Sequence, residues 1–528
     1  MTLKKKVGRL MIAGFYGKTV SDKIKHLIHT YHIGGIILFV RNIGTPAEIL
    51  ELTRNLQKEA KAAGYEKPLL ICLDQENGTV RRISEGATAV PGAMLLGATH
   101  NPKHAYQAGI VTGKELKALG INWNLAPVVD INNNPENPVI GVRSFGEQAN
   151  DVAEMAKQFM LGMRKAGILS TLKHFPGHGD TNVDSHRDLP VIDHDLKRLH
   201  EVELVPFKEC IANGADAVMS AHVYFPALEK EPNVPATLSR AVITGLLREE
   251  LGFDGVITTD CMEMDAIING IGTVKGCVKA LEAGADMVMV SHGYTMQEQV
   301  VLELTAALER GEISELQIDQ SIARIERMMS NNISWADIEA TQEVEAFIGS
   351  QEHYDEMKAI YRNGITEVGE KGVLIQGKTK VLVVYPADDY SAIAEDLHIA
   401  NSALAEELKA VHEHVEAWEI DLSHYEEGLV DLVQKLETCD HVVVLTSNAA
   451  RAKEQQKLVA QLIDSGKPVD VIAIRIPYDA ALFPKANRRI CTYEFTPTAC
   501  EVVAEALIGQ TAVNGKLPVT LGIYKNLN

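Results

Sequence analysis

Over its first 300 residues the chain alternates short apolar runs with longer amphipathic stretches. The runs are Leu10–Phe15, Gly35–Val40, Leu69–Asp74, Asn122–Asp130, Ser170–Phe175, Ala217–Val223, Gly255–Asp260 and Met287–Ser291. They are short for helices and apolar on both faces, which predicts strands buried in a parallel sheet. Between them, Pro46–Ala62, Asp151–Ala166, Asp195–Ile211, Ser239–Leu251 and Gln297–Glu309 space their apolar residues as helices do. Eight strand–helix units over about 300 residues fit a TIM-like (β/α)8 barrel better than an open sheet.

The helix-like Ile318–Met329 closes this region. Charged sequence with few apolar residues then runs to about Ala359, which predicts a linker helix across the surface. From Lys380 the alternation resumes. Val381–Tyr385, His441–Thr446 and Val469–Ile474 read as strands, and Ala392–Val411, Lys453–Asp464 and Thr498–Leu507 as helices. That is the pattern of a smaller αβα sandwich. The expected organisation is a (β/α)8 barrel over residues 1–340, a linker helix region over 341–370, and a C-terminal αβα sandwich domain over 371–528.

Composition narrows the partners. The 528 residues include 51 Lys and Arg against 71 Asp and Glu, a net charge of −20. Such a surface argues against a protein that tracks nucleic-acid phosphates or adheres to a membrane. It is indifferent to neutral ligands such as sugars. No apolar run approaches the ~20 residues of a spanning helix. The basic start is followed by neither the roughly 7–15 apolar residues nor the cleavage site of a secretion signal. The seven cysteines form no C-x-x-C pair and read as scattered core thiols of a reducing, cytoplasmic compartment.

Candidate chemistry gathers at the predicted strand ends, where a barrel of this kind places its active site. In order these ends carry Asp74, Asp130, Lys173-His174, His222, Asp260 and Ser291-His292. The densest segment runs from Lys173 to His186 through Pro176-Gly177-His178-Gly179-Asp180 and Asp184. In one reading Lys173 and His174 face the hydroxyls of a sugar, while Asp184 orients His186 for proton transfer near neutral pH. In a second, His174, His178, His186 and the aspartates hold a metal. In a third they satisfy one another in a surface loop. Asp260 at a barrel mouth suits a nucleophile toward an anomeric carbon. It also suits a metal ligand, or a cap on the helix that follows.

The segment Lys173–His186 resembles the signature KHFPGHG-x-T-x-x-DSH of family 3 glycoside hydrolases, in their β-N-acetylglucosaminidase branch. Ile36–Asn42 (IILFVRN), Asp74–Arg82 (DQENGTVRR), Ala126–Asp130, Arg143–Gly146, Asp260–Met264 (DCMEM) and Ala283–Asp286 are similar to further family blocks, in order. The resemblance covers nearly all of residues 1–330, and Gly515–Leu521 resembles the end of the family's C-terminal sandwich. It implies a retaining exo-β-N-acetylglucosaminidase with Asp260 as nucleophile, and with His186, partnered by Asp184, as acid/base on a mobile loop. Asp74, Arg82, Arg143, Lys173 and His174 fall on positions that bind the terminal N-acetylglucosamine. His222 is given a supporting role.

Neither a cofactor nor a metal is implied. The expected substrate is a chito-oligosaccharide, as in chitin degradation, or a peptidoglycan fragment, as in cell-wall recycling. One departure is Asn77, where the family's DQEGG block has glycine; Asn tolerates a left-handed backbone better than most residues. A histidine acid/base repels an anionic acceptor less than a glutamate would, so phosphorolysis on the same site is an alternative. A metal-dependent hydrolase and a non-catalytic sugar-binding protein stand behind it.

Overall fold

The computed structural model describes every residue except 1, 182–188, 331–332, 340–346, 388–395, 397–399 and 523–528, and describes only the backbone of 339 and 425–430. All eight apolar runs of the first region contain strands: β1 (Met11–Ala13), β2 (Gly35–Ile37), β3 (Leu70–Leu73), β4 (Trp123–Asn124), β5 (Thr171–Phe175), β6 (Ala217–Ser220), β7 (Val256–Cys261) and β8 (Met287–Val290). They pair in parallel in the order β4-β3-β2-β1-β8-β7-β6-β5. Bridges Trp123↔Leu169 and Val128↔Lys173 join the two ends into a barrel. Apolar strand interiors and the inner faces of the surrounding helices form one continuous core.

Local signals set the helices that surround it. Pro46–Ala62 starts on a Thr45 cap that accepts from the Glu48 amide, with Glu48 answering in a capping box and Pro46 in the first turn. The stretch expected as one helix over Asp195–Ile211 breaks instead into Leu196–Glu201 and Val205–Ala212. Pro206 has no N–H to continue a preceding helix, so it opens the second one. Ser239–Leu251 is helical over Ala241–Glu250, wound with π rather than α hydrogen bonds.

The second sheet contains β9 (Thr366–Glu367), β10 (Val381–Pro386), β11 (Val415–Ile420), β12 (His441–Thr446), β13 (Val469–Ala473) and β14 (Arg488–Cys491). Their order is β9-β14-β13-β12-β10-β11, parallel except for β9 against β14. Separate apolar clusters lie on its two faces, which makes it a sandwich layered by helices. Of the helix expected over Ala392–Val411, the described part spans Ala403–Val411; most of the rest lies outside the described residues.

The charged stretch expected as a linker carries a helix, Gln351–Gly364, with His353, Met357, Ile360 and Tyr361 buried on one side. Met94, Leu95, Ala98 and Val142 of the barrel region share one apolar cluster with Tyr361, with Val383 and Ile472 of the second sheet, and with Tyr493 just beyond β14. The two regions are therefore joined by a common core. Among the described residues no helix is long and apolar enough to cross a membrane.

Candidate active site

The C-terminal ends of the barrel strands surround a cavity of about 510 Å³. Asp74, Arg82, Arg143, Lys173, His174 and Asp260 all line it. Sequence positions up to 186 residues apart (74 and 260) thus meet in one place. Asp184 and His186 lie outside the described residues.

One wall is a network of opposite charges. Asp74 follows β3, and the chain then turns back in a short hairpin, Gln75–Asn77 against Val80–Arg81. Asn77 and Gly78 both have positive φ, +71° and +61°. Asparagine is therefore seated where the left-handed backbone is required, and its amide donates to Thr112 Oγ1 at 2.9 Å. The hairpin places Glu76 and Arg82 beside Asp74. Lys173 Nζ, from β5, lies 2.7 Å from Asp74 Oδ1 and 2.6 Å from Glu76 Oε1. Arg143 reaches Glu76 with two donors, both at 2.8 Å. Arg82 Nη2 lies 3.3 Å from Asp74 Oδ2.

These groups are shielded from water, so their charges act strongly on one another. Burial alone would raise the Glu76 pKa; the guanidinium of Arg143 and the ammonium of Lys173 outweigh it and hold the carboxyl well below its usual range. Burial would likewise lower the pKa of Lys173, but Asp74 and Glu76 raise it. The wall is ionised, rigid and rich in both donors and acceptors.

Behind it stands Asp130, fully buried. Its carboxylate pairs with His174 Nδ1 at 2.7 Å and accepts the backbone N–H of His174 and of His178, the latter at 2.7 Å. Asp130 thus fixes both the ring of His174 and the start of the loop after β5. His178 is buried, and its Nδ1 meets Thr181 Oγ1 at 3.0 Å. Burial, seconded by His174, pushes the His178 pKa down to about 4, so the ring is neutral at physiological pH.

The glycines of this motif serve close approach. A Cβ on Gly179 would lie 1.7 Å from the carbonyl oxygen of Ile131. Asn137 ties down the same stem, donating to the carbonyls of His178 and Gly179 at 2.9 Å each. Arg451, from the second region, in turn holds the carbonyls of Pro135 and Asn137.

The opposite wall comes from β7 and β8. Asp260 is the penultimate residue of β7 and accepts the amide of Cys261 at 2.7 Å. Its neighbour Cys261 is not a remote core thiol: it lines the cavity, and burial pushes its pKa up to about 11. His222 supports this strand end from below, buried, with Nε2 2.9 Å from the carbonyl of Cys261. Arg41 also lines the cavity, packed over the rings of Tyr16 and Phe39 and bound to the carbonyls of Phe15 and Ser291.

Sequence reasoning passed over Glu76, Arg41 and Asp396, all on the cavity wall. Glu76 had a signal: three candidate cations at one mouth require more carboxylate than Asp74 supplies.

Cys261, Glu263 and His292 bring donor atoms within 4.8 Å of one another. Glu263, however, already accepts the amides of Ser291, His292 and Gly293 at 2.6–2.9 Å, which makes it a clasp for the turn after β8. His174 and His178 are likewise engaged by Asp130 and Thr181, so the described part of the His-rich loop does not present a ligand set.

A parallel (β/α)8 barrel with ionised carboxylates and fixed cations around a cleft at its strand ends is a barrel enzyme. Residues 2–328 match the glycosyl hydrolase family 3 N-terminal domain, and the chain belongs to that family. It is a glycoside hydrolase. It is 32% identical to β-hexosaminidase A of Pseudoalteromonas piscicida, over 95% of this chain and 92% of that one. It is 39% identical to a β-hexosaminidase of Xylella fastidiosa, over 54% of this chain and 83% of that one. A solved structure, the family 3 β-N-acetylglucosaminidase of Paenibacillus sp. str. FPU-7, is 41% identical over 99% of both chains, with a TM-score of 0.92.

Proposed function

We propose that this chain is a retaining exo-β-N-acetylglucosaminidase, removing terminal β-linked N-acetylglucosamine from chito-oligosaccharides or peptidoglycan fragments. The observation that carries the reading is that Asp260 faces the same cavity as the Asp74–Glu76–Arg82–Arg143–Lys173–His174 wall. A sugar bound by that wall presents its hydroxyls to groups that donate and accept in alternation, and leaves its anomeric carbon to the carboxylate of Asp260 on the opposite wall. The hexosaminidase relatives support the N-acetylated sugar as the substrate.

In the first step Asp260 attacks the anomeric carbon while His186, oriented by Asp184, protonates the departing glycosidic oxygen. In the second, His186 takes a proton from water, which displaces Asp260 with net retention. Arg82, Arg143 and Lys173 are held by carboxylates, so they orient the sugar without reorganising during the reaction. We read residues 1–340 as the catalytic unit, 341–370 as the connection and 371–528 as the sandwich domain. The seven free cysteines suit a cytoplasmic enzyme, and the −20 charge suits neither nucleic acid nor an anionic membrane as partner.

The test compares chromogenic N-acetylglucosaminide with the matching glucoside, then diacetylchitobiose with muropeptides. The reading expects strong preference for the N-acetylated sugar, unchanged by chelator, and free sugar as product whether or not phosphate is present. Preference for the plain glucoside, or a phosphate-dependent sugar 1-phosphate, would contradict it.

A further inference from the structure

Among the described residues, one on the cavity wall comes from outside the barrel. Asp396 belongs to the second region, between β10 and the helix Ala403–Val411, yet it lines the cavity with its side chain only 11% exposed. Its carboxylate Oδ2 takes Arg82 Nη1 at 2.5 Å and the backbone N–H of Arg81 at 3.1 Å. Its own N–H donates to the carbonyl of Thr79 at 2.9 Å. Arg82 is thereby gripped from two sides, by Asp74 of the barrel and by Asp396 of the sandwich region. The wall then reads Asp396, Arg82, Asp74, Lys173, Glu76, Arg143: an unbroken alternation of sign that begins in the second region.

This arrangement exceeds what docking needs. The Asp396 N–H to Thr79 and the Arg81 amide to Oδ2 would suffice to dock this residue on the hairpin, and neither bond requires the carboxylate to meet Arg82 or to line the cleft as well. A carboxylate offers only acceptors, about four lone-pair positions over two oxygens. At a cavity wall it selects a partner that donates, such as a sugar hydroxyl, and it repels a terminal sugar carrying a carboxylate or sulfate at that end.

We propose that Asp396 is a substrate-binding residue supplied by the C-terminal region, which fixes Arg82 and accepts a hydroxyl of the terminal sugar, so that the glycone pocket is built from both regions. This rests on the reading of the cavity as an N-acetylglucosamine site. The chemistry it selects is an uncharged terminal sugar with a donating hydroxyl at the Arg82 end.

The test pairs protein variants with monodeoxy sugars. Wild type, Asp396→Ala and Asp396→Asn are assayed on a chromogenic N-acetylglucosaminide and on its 3-, 4- and 6-deoxy analogues. Binding of N-acetylglucosamine and the same deoxy sugars is measured by calorimetry, and thermal unfolding is followed in parallel. Wild type should lose about ten- to a hundredfold on removal of the hydroxyl that Asp396 accepts. In Asp396→Ala the parent substrate should lose a similar factor, expressed chiefly in KM, and the penalty for that one deoxy position should shrink toward unity. Asp396→Asn, which keeps the shape and one acceptor, should fall between. Equal losses for every analogue, or unaltered affinity in both variants, would overturn the proposal and leave Asp396 a docking residue. Wild type that neither cleaves nor binds the parent sugar would overturn the functional reading as well, whereas normal wild-type activity without the deoxy-specific effect overturns this inference alone.

Discussion

Two buried glutamates, Glu76 and Glu494, meet opposite fates in this molecule. Glu76 lies in the cavity wall against Arg143 and Lys173, and these cations hold it ionised despite its burial. Glu494 lies where the second region meets the barrel. It accepts the Gly92 amide at 2.7 Å and the Tyr361 hydroxyl at 2.5 Å, and burial pushes its pKa up to about 7. The same side chain is thus a fixed charge at the site and, at the seam, a hydrogen-bonding post that keeps its proton up to about neutral pH. What differs is the partner. Directly paired guanidinium and ammonium make ionisation favourable in a dry environment, while the amide and hydroxyls at Glu494, with the Arg81 guanidinium acting without a direct ion pair, compensate burial only in part.

The largest effect expected from this contrast is on removal of the charge. Glu76→Gln takes the paired carboxylate from buried Arg143 and leaves Lys173 with Asp74 alone, and should cost about 3–5 kcal/mol in urea unfolding. It should also lower kcat/KM by about a thousandfold or more, because Lys173 and Arg143 lose their positions. Glu494→Gln keeps the acceptor oxygen and should cost only about 1 kcal/mol, with activity within a few-fold of wild type. If Glu494→Gln proved the more damaging, the contrast would fail.

The second effect is in the pH dependence of stability. Between about pH 4.5 and about 7 the unfolded chain has released the Glu494 proton and the folded chain has kept it, so stability falls as pH rises through that window. His178 acts in the opposite sense. Its folded pKa of about 4 lies below its ordinary 6.5, so its contribution is complete above pH 6.5 and is lost as pH falls toward 4. Each is worth on the order of 3 kcal/mol across its window. Glu494→Gln should therefore flatten the decline of stability between pH 4.5 and 7 in chemical denaturation. His178→Gln should remove the loss on the acid side. An unchanged profile in either variant would show that the group does not titrate as described.

The smallest effect concerns the hairpin that carries Glu76. Asn77→Gly should lie within about 1 kcal/mol of wild type, since relief of the positive φ offsets the lost bond to Thr112. Asn77→Ala loses the bond and keeps the strain, and should cost about 2 kcal/mol. Thermal unfolding of the two variants separates them.

The barrel was legible because its strands are buried on both faces, which leaves uninterrupted apolar runs such as Leu70–Leu73 and Met287–Val290. The second sheet was less so. Edge strand Val415–Ile420 reads Val-Glu-Ala-Trp-Glu-Ile and is half exposed, and Arg488–Cys491 opens with two arginines. Neither looks like a buried strand in one dimension. In the site, the residues at strand ends were legible because the fold class itself says where to look. Glu76 was hidden within a hairpin appended to a strand end. Asp396 was hidden because it crosses from the other region, and no periodicity reports a contact between positions 82 and 396. Arg41 was masked by its place in a run that packs as structure, among Phe39 and Tyr16.

The claim on which the account turns is that Asp260 forms the bond to the sugar. Incubating the enzyme with an activated 5-fluoro-N-acetylglucosaminyl fluoride and analysing it by mass spectrometry tests this directly. The account predicts a single adduct on the peptide containing Asp260, absent in Asp260→Asn, whose kcat should fall by about 10⁴-fold or more. An adduct on another residue, or turnover in Asp260→Asn close to that of the wild type, would contradict it.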